Sequence, residues 1–369
     1  MKIAFDYQMF AAQRYGGITR YYTSLARELA ALGQTPRIFA PIHCNEYLEQ
    51  LPAALVIGKR SDHLLPGYTY YVNRLWNGWT AKLQMSLWGP QVVHETYYAT
   101  TPTGPARVPT VITVLDMIHE LFPDQFGPQD KTTFAKAAAV RRADHIICIS
   151  RNTRDDLVRL LDVQPERVSV IHLGADDPAQ SLDERAFRVP GRQPFLLYVG
   201  DRHGYKNFGR FLEAVASSPS LRSDFDVVSF GSRPFSSQEL QAIARLGLSG
   251  VVEHVGGDDA TLNSLYRHAR AFIYPSLYEG FGMPPVEAMA RGCPVIASNT
   301  SSMPEVVGDA GELFDPSDIG AIARSIAAVV YSEERRRELV DRGRERVKQF
   351  TWSRCAAETL AVYGKVSAS

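Results

Sequence analysis

The chain has little cysteine, no net charge and no long apolar run, and each shortage closes off a class of function. Its four cysteines, Cys44, Cys148, Cys293 and Cys355, are scattered through 369 residues. No two stand at zinc-ligand or thiol-redox spacing. Cys148 lies inside an apolar run and Cys293 enters one, so both read as buried thiols of a reducing compartment. The 40 basic residues balance 40 acidic ones, for a formal charge of +0. A nucleic-acid binder needs a basic excess to neutralise phosphates, so that class is excluded. An anionic ligand must then be met by a few placed groups. No apolar stretch approaches a membrane span. The opening residues, Met1-Lys2-Ile3-Ala4-Phe5-Asp6, read as strand rather than as a secretion signal, which makes the cytosol the default location. There is no repeat or low-complexity tract, and no G-x-G-x-x-G fingerprint, which weighs against a nicotinamide enzyme.

What the sequence does have is 45% apolar residues and 22% charged ones, enough for two cores in a chain of this length. Short apolar runs alternate with amphipathic stretches. Lys2–Tyr7, Pro36–Pro41, Ala53–Gly58, Gln91–Thr96, Thr110–Leu115, His145–Ser150 and Val168–Gly174 read as strands. Ile18–Leu32, Thr132–Ala143 and Arg151–Leu161 read as helices, the last capped by Ser150. Ala175–Pro194 breaks the pattern and reads as a linker. Alternation resumes at Phe195–Gly200 and runs through Val227–Gly231, Val251–Gly256, Ala271–Ser276, Pro294–Ser298 and Gly311–Phe314. The remainder, Pro316–Ser369, reads as helical. Such alternation predicts an α/β chain of two doubly wound halves with parallel sheets.

Three loops carry candidate chemistry. In Tyr274–Gly292 a strand ends near Ser276, and a loop then holds Glu279, Gly280, Phe281 and Gly282. Pro284 and Pro285 follow in a first helical turn, and Glu287 is read into that same turn. Exposed backbone N–H groups and a helix start suit a phosphate or a polyhydroxy ligand, and ionised carboxylates accept from sugar hydroxyls. Either glutamate alone is as well explained by solvation or a helix-start preference; the cluster favours a site. In Leu197–Phe208, Arg202 and Lys206 flank the turn after a strand, with Asn207 as the expected cap of the next helix. Two cations there can hold a diphosphate and stabilise it as a leaving group. Tyr15-Gly16-Gly17-Ile18 opens a long helix after the first strand, and its glycines permit close backbone approach. Taken singly, a basic pair or a glycine pair is more often solvated surface or turn.

The spacing of Glu279 and Glu287, with Gly280-Phe281-Gly282 between them, resembles the E-x7-E hallmark of the retaining glycosyltransferases of family four. Lys206-Asn207 resembles the same family's donor loop, and the resemblance covers nearly the whole chain. It implies a GT-B fold, with two Rossmann-like domains facing a cleft, at 1–178 and 179–350. A C-terminal helix, 351–369, crosses back to the first. It implies that Glu279 grips the transferred sugar, Glu287 the ribose, and Arg202 with Lys206 the diphosphate. Gly16 and Gly17 reach the donor phosphates and sugar, while Gly231, Val255 and Tyr266 lie where the nucleoside packs. Many relatives have His-Asp where this chain has Leu115-Asp116; His119 stands near enough to substitute, or is structural. The implied partners are a nucleotide-sugar donor, with GDP-mannose or a deoxy relative as the best fit, and a glycan or lipid-linked acceptor. No cofactor and no metal are implied. Asp224-Phe225-Asp226 matches a metal-binding D-x-D only superficially and reads as a polar turn. A nucleotide-sugar epimerase and a non-catalytic nucleotide-sugar-binding subunit remain the alternatives.

Tyr68–Pro90 places Val72, Trp76, Trp79, Leu83 and Leu87 on one helical face. A face like this is expected to pack on a core. Peripheral membrane contact is the lesser reading, since Arg74 and Lys82 are its only cations.

Overall fold

The computed structural model describes residues 1–61, 68–175, 194–231 and 233–368. The chain divides into two compact units. One is Met1–Gly174 together with Trp352–Ser369, and the other is Ala175–Thr351. The expected linker, apart from its two end residues, and the boundary at 178 lie outside the described residues.

The first unit holds β1 (Lys2–Phe5), β2 (Thr35–His43), β3 (Val56–Arg60), β4 (Val92–Glu95), β5 (Thr110–Val114), β6 (His145–Cys148) and β7 (Val168–Val170). They form one sheet in the order β3-β2-β1-β4-β5-β6-β7, every pairing parallel. The second unit holds β8 (Phe195–Val199), β9 (Asp226–Phe230), β10 (Val252–Val255), β11 (Ala271–Tyr274), β12 (Val295–Ser298) and β13 (Gly311–Phe314). Its order, β10-β9-β8-β11-β12-β13, is again wholly parallel. Helices on both faces bury such strands completely, which is why β4, β5, β6, β11 and β12 are buried at every residue. In each sheet the order reverses beside the first strand, β1 or β8, and open α/β sheets take ligands at the carboxyl ends flanking such a point.

Local signals explain the elements and their few departures from expectation. Ser150 accepts the amide of Thr153 at 3.0 Å and starts the helix Arg151–Leu161. Ala53–Leu55 is a single 3-10 turn, so the expected strand begins only at Val56. The stretch after Pro316 resolves into three helices, Ile319–Val330, Glu333–Val347 and Trp352–Ser367. Ser332 ends the first run by capping the second through Arg335.

The helix Tyr68–Trp88 departs most from the sequence reading. The side it buries carries Asn77, Ala81 and Met85, while Val72, Leu75, Trp76, Trp79, Leu83 and Leu87 point outward and are exposed. Asn77 decides this orientation. Its side chain accepts from the Ile42 amide at 2.8 Å and donates to the Ile42 carbonyl at 3.0 Å, where the register of β2 against β3 slips. Two backbone groups at an irregular strand edge are thereby satisfied, and small Gly78 and Ala81 allow the close approach. The expectation of a core-packed aromatic face is therefore corrected.

The helix Trp352–Ser367 packs on the helix Gly17–Ala31 and on β4. At that contact a fully buried His94 lies 2.6 Å from the Tyr363 hydroxyl through Nδ1 and 2.9 Å from Thr113 Oγ1 through Nε2. Burial pulls the imidazole down to a pKa of about 3. The unfolded chain therefore binds one more proton than the native one between about pH 3 and 6.5, so stability rises with pH across that window. Burial also lowers His43 and His145 and adds to the slope. Urea unfolding should show a loss of at least about 2 kcal/mol from pH 7 to pH 5. His94→Gln should remove about one proton from that dependence; an unchanged slope in the variant would contradict this origin.

Candidate functional site

The loops after β8 and β11 meet at one place in the second unit. Lys206 Nζ lies 2.8 Å from Glu279 Oε1, and both side chains are largely buried. Burial works against the ammonium, but the carboxylate beside it more than offsets this, so the lysine titrates above its ordinary range. Tyr274, at the end of β11, donates to the same carboxylate, and burial together with Glu279 pushes its hydroxyl well above the usual value.

The loop that carries Glu279 is fastened along its length. The Leu277 amide donates to the Tyr205 carbonyl at 2.7 Å. The Glu279 amide donates to Ser301 Oγ at 3.0 Å, and Ser302 Oγ donates to the carbonyls of Glu279 and Phe281, each at 2.9 Å. Asn207 does not act as the expected cap. It stands at the helix start with φ 59° and makes no capping bond. Its amide instead donates to the carbonyls of Pro275 at 3.0 Å and Pro316 at 2.9 Å, tying three loops together. Gly282 has φ +105°, and a Cβ there would meet Met303 Cε at 2.4 Å, so only glycine closes this turn. None of Asn207, Tyr274, Ser301 and Ser302 stood out as a site-builder in the sequence; the one signal was the Thr300-Ser301-Ser302 run before a helix start.

Other candidates take up varied positions. Glu287 is buried but lies one turn deeper than expected. The helix begins at Met283, so Glu287 is its fifth residue. Phe281 packs edge-on against Phe350 at 5.5 Å, and Tyr266 is buried against Phe272 with Arg291 over its ring, so both rings serve the core. Gly231 accepts from His254 Nε2 at 2.8 Å, and its amide donates to the Val255 carbonyl at 3.3 Å. Arg202 is turned away from the Lys206 pair. Its Nε reaches Glu239 Oε1 at 2.6 Å, its Nη2 reaches the Pro234 carbonyl at 3.0 Å, and its plane lies 4.7 Å from the Phe235 ring centroid. Burial opposes the charge on Glu239, yet the bonds from Arg202 and Ser236 hold the carboxyl down to about 2. A Cβ on Gly231 would come within 3.9 Å of Arg202 Nη1.

In the first unit, Gly16 caps the helix Gly17–Ala31 with extended backbone, and a Cβ on Gly16 would run into the Gln13 side chain at 2.3 Å. After β5, Asp116 Oδ1 accepts from the Ile118 amide at 3.0 Å, and buried Lys136 sits 2.7 Å from Glu120 and 2.9 Å from the Asp116 carbonyl. His119 is bound to Asp130 through Nδ1 and stacks on Phe126 at 3.8 Å. Two adjoining cavities, of about 730 and 510 Å³, share Tyr7, Gln8, Arg74 and Thr100. Among the described residues no cluster of His, Cys, Asp or Glu is arranged to hold a metal ion. Asp224 accepts from the Tyr331 hydroxyl at 2.9 Å.

Residues 15–179 match the family model "Glycosyltransferase Family 4", and residues 180–346 match "Glycosyl transferases group 1". The chain is 31% identical over 271 residues to the O-antigen chain mannosyltransferase B of Escherichia coli, covering 70% of this chain and 71% of that one. It is 34% identical over 236 residues to the MMP alpha-(1->4)-mannosyltransferase of Mycolicibacterium hassiacum, covering 62% and 56%. Among solved structures, a sucrose-phosphate synthase from Thermosynechococcus elongatus superposes with TM-score 0.75 at 21% identity, over 100% of this chain and 99% of that one. A glycosyltransferase from Rickettsia africae does so with TM-score 0.73 at 18% identity, over 99% and 98%. At such identities these two structures speak to the fold alone.

Asn207→Ala removes the donor shared by two buried carbonyls and places alanine at positive φ. It should cost roughly 2–4 kcal/mol in denaturant unfolding. A loss below about 0.5 kcal/mol, the range of ordinary surface changes, would show that the three loops are held together some other way.

Proposed function

The chain belongs to the family four glycosyltransferases, with the GT-B fold, and we propose that it is a retaining enzyme using a GDP-sugar. The sugar transferred is mannose or a deoxy relative. The acceptor is a glycan or lipid-linked oligosaccharide in the synthesis of a bacterial surface polysaccharide. The observation that carries the reading is the buried Lys206–Glu279 pair at the reversal point of the second sheet, with buried Glu287 on the helix that follows. The mannosyltransferase relatives support the choice of sugar.

Lys206 holds its charge in this site, so its ammonium stands ready for a diphosphate, and Arg202, on the same loop, supplies a second cation once it leaves Glu239. When phosphate takes over Lys206, Glu279 is released to accept from a hydroxyl of the transferred sugar. Glu287 takes the ribose. The acceptor oxygen attacks the anomeric carbon on the face the diphosphate leaves, and the anomeric carbon–oxygen bond to the diphosphate breaks as the new bond forms. The departing phosphate oxygen takes the acceptor's proton, so no enzyme nucleophile is required. Cationic side chains stabilise the developing charge on the leaving group.

Two experiments test this. A hydrogen bond to a charged group is worth roughly 1.5–3 kcal/mol, about 10- to 150-fold in affinity. By calorimetry, Glu287→Gln should weaken GDP and GDP-mannose alike. Glu279→Gln should spare GDP and lose affinity or turnover with the intact donor; equal weakening of both ligands would remove the sugar from this loop. In the second experiment, transfer should persist in excess chelator, and complete loss restored by magnesium or manganese would reject a diphosphate held by side chains alone.

A further inference from the structure

Six of the eleven large apolar side chains that stand exposed among the described residues belong to the helix Tyr68–Trp88: Val72, Leu75, Trp76, Trp79, Leu83 and Leu87. Scattered exposed apolar residues are ordinary, but a contiguous stripe marks an interaction surface. At 100° per residue these six fall within about 120° of the helix circumference, along a stripe about 22 Å long. Along the stripe Leu75 is 76% exposed, Trp79 64% and Leu87 82%. The opposite side of the helix is already spent on the core through Asn77, Ala81 and Met85.

The charge around the stripe is one-sided in a chain with no net charge. The helix contains no Asp or Glu; exposed Lys82 borders the stripe, while exposed Arg74 stands on the other side of the helix, and both line the 510 Å³ cavity. The two cavities that the helix walls add exposed Lys131, and the described residues lining them include no carboxylate. We propose that this face docks on an anionic lipid bilayer, the helix lying in the plane of the interface, so that the 510 Å³ cavity, which Leu75 and Trp79 help to line, opens beside the membrane surface. Tryptophan pairs an apolar ring with a polar N–H and is favoured at the headgroup level, where flanking Lys and Arg meet lipid phosphates. A second copy of the chain suits the face less well. A single helix stripe offers a few hundred Å², against about 800 Å² per partner in a stable complex, and lysine is depleted from the cores of such interfaces.

The test is sedimentation of the full chain with sucrose-loaded vesicles of phosphatidylcholine, alone or with phosphatidylglycerol. Binding is expected to the anionic vesicles and not to the neutral ones, with a blue shift of tryptophan emission, and high salt should weaken it. Each basic residue at an anionic surface contributes about fivefold, so Arg74→Gln with Lys82→Gln should weaken binding about 30-fold. Trp76→Ser with Leu87→Ser, at exposed positions outside both cavities, should abolish binding while leaving the thermal midpoint within a few degrees. Absence of binding, equal binding to neutral vesicles, or retention by both double variants would overturn the proposal. So would self-association in lipid-free ultracentrifugation that Trp76→Ser with Leu87→Ser abolishes.

Discussion

A wholly parallel sheet imposes the constraint from which the rest of this molecule follows. Parallel neighbours cannot be joined by tight turns, so most strands hand the chain to a helix that returns it over the sheet, and the loops gather at the two strand ends. In the second unit the loops at the carboxyl ends of β8 and β11 carry Lys206 and Glu279. These residues are 73 positions apart in the chain, yet they come within ion-pair distance because their strands are direct neighbours. The sheet brings the loops together, and the Asn207 amide with the Ser301 and Ser302 hydroxyls then fixes their shape. Chemistry that needs placed charges without reorganisation is served by loops that have few other conformations to adopt.

Strand and helix order was legible from periodicity, because fully buried parallel strands leave short apolar runs and their helices do not. Glu279 and Lys206 stood out because each lies in a loop after a strand, and Glu287 through its spacing from Glu279. What the sequence concealed was partnership at long range. Nothing near Arg202 announces Glu239, which is simultaneously the capping-box residue of the helix Ser237–Arg245. Phe281 and Tyr266 were marked by resemblance, and nothing in the sequence announced that their rings pack against Phe350 and Phe272. The helix Tyr68–Trp88 is apolar on two sides, so periodicity alone could not say which side faces inward. One hydrogen-bonding asparagine decided it, against the larger aromatic face.

Charge is handled locally in both units. Several cations that look unassigned in the sequence already have anionic partners: Arg142 with buried Glu95, Lys136 with Glu120, Arg202 with Glu239. Removing one member of such a pair strands the other in a poorly solvated place, which is more costly than the pair is stabilising. The pairs therefore give the loops definite positions more than they add to stability.

The chain passes from one unit to the other twice, and the two passages are stitched side by side. Ala175 and Thr351 form a parallel bridge, the Ala175 amide donates to Phe350, and Gly174 lies so close to Trp352 that a Cβ on it would meet the Trp352 nitrogen at 2.3 Å. The first unit is thus discontinuous, and its final piece supplies Tyr363 to buried His94, 269 positions earlier in the chain. Recombination between relatives must respect this. The second unit can be exchanged as a cassette only if both seams are cut together, at 174/175 and 351/352, and a crossover made at the first seam alone would graft a foreign tail onto a native core.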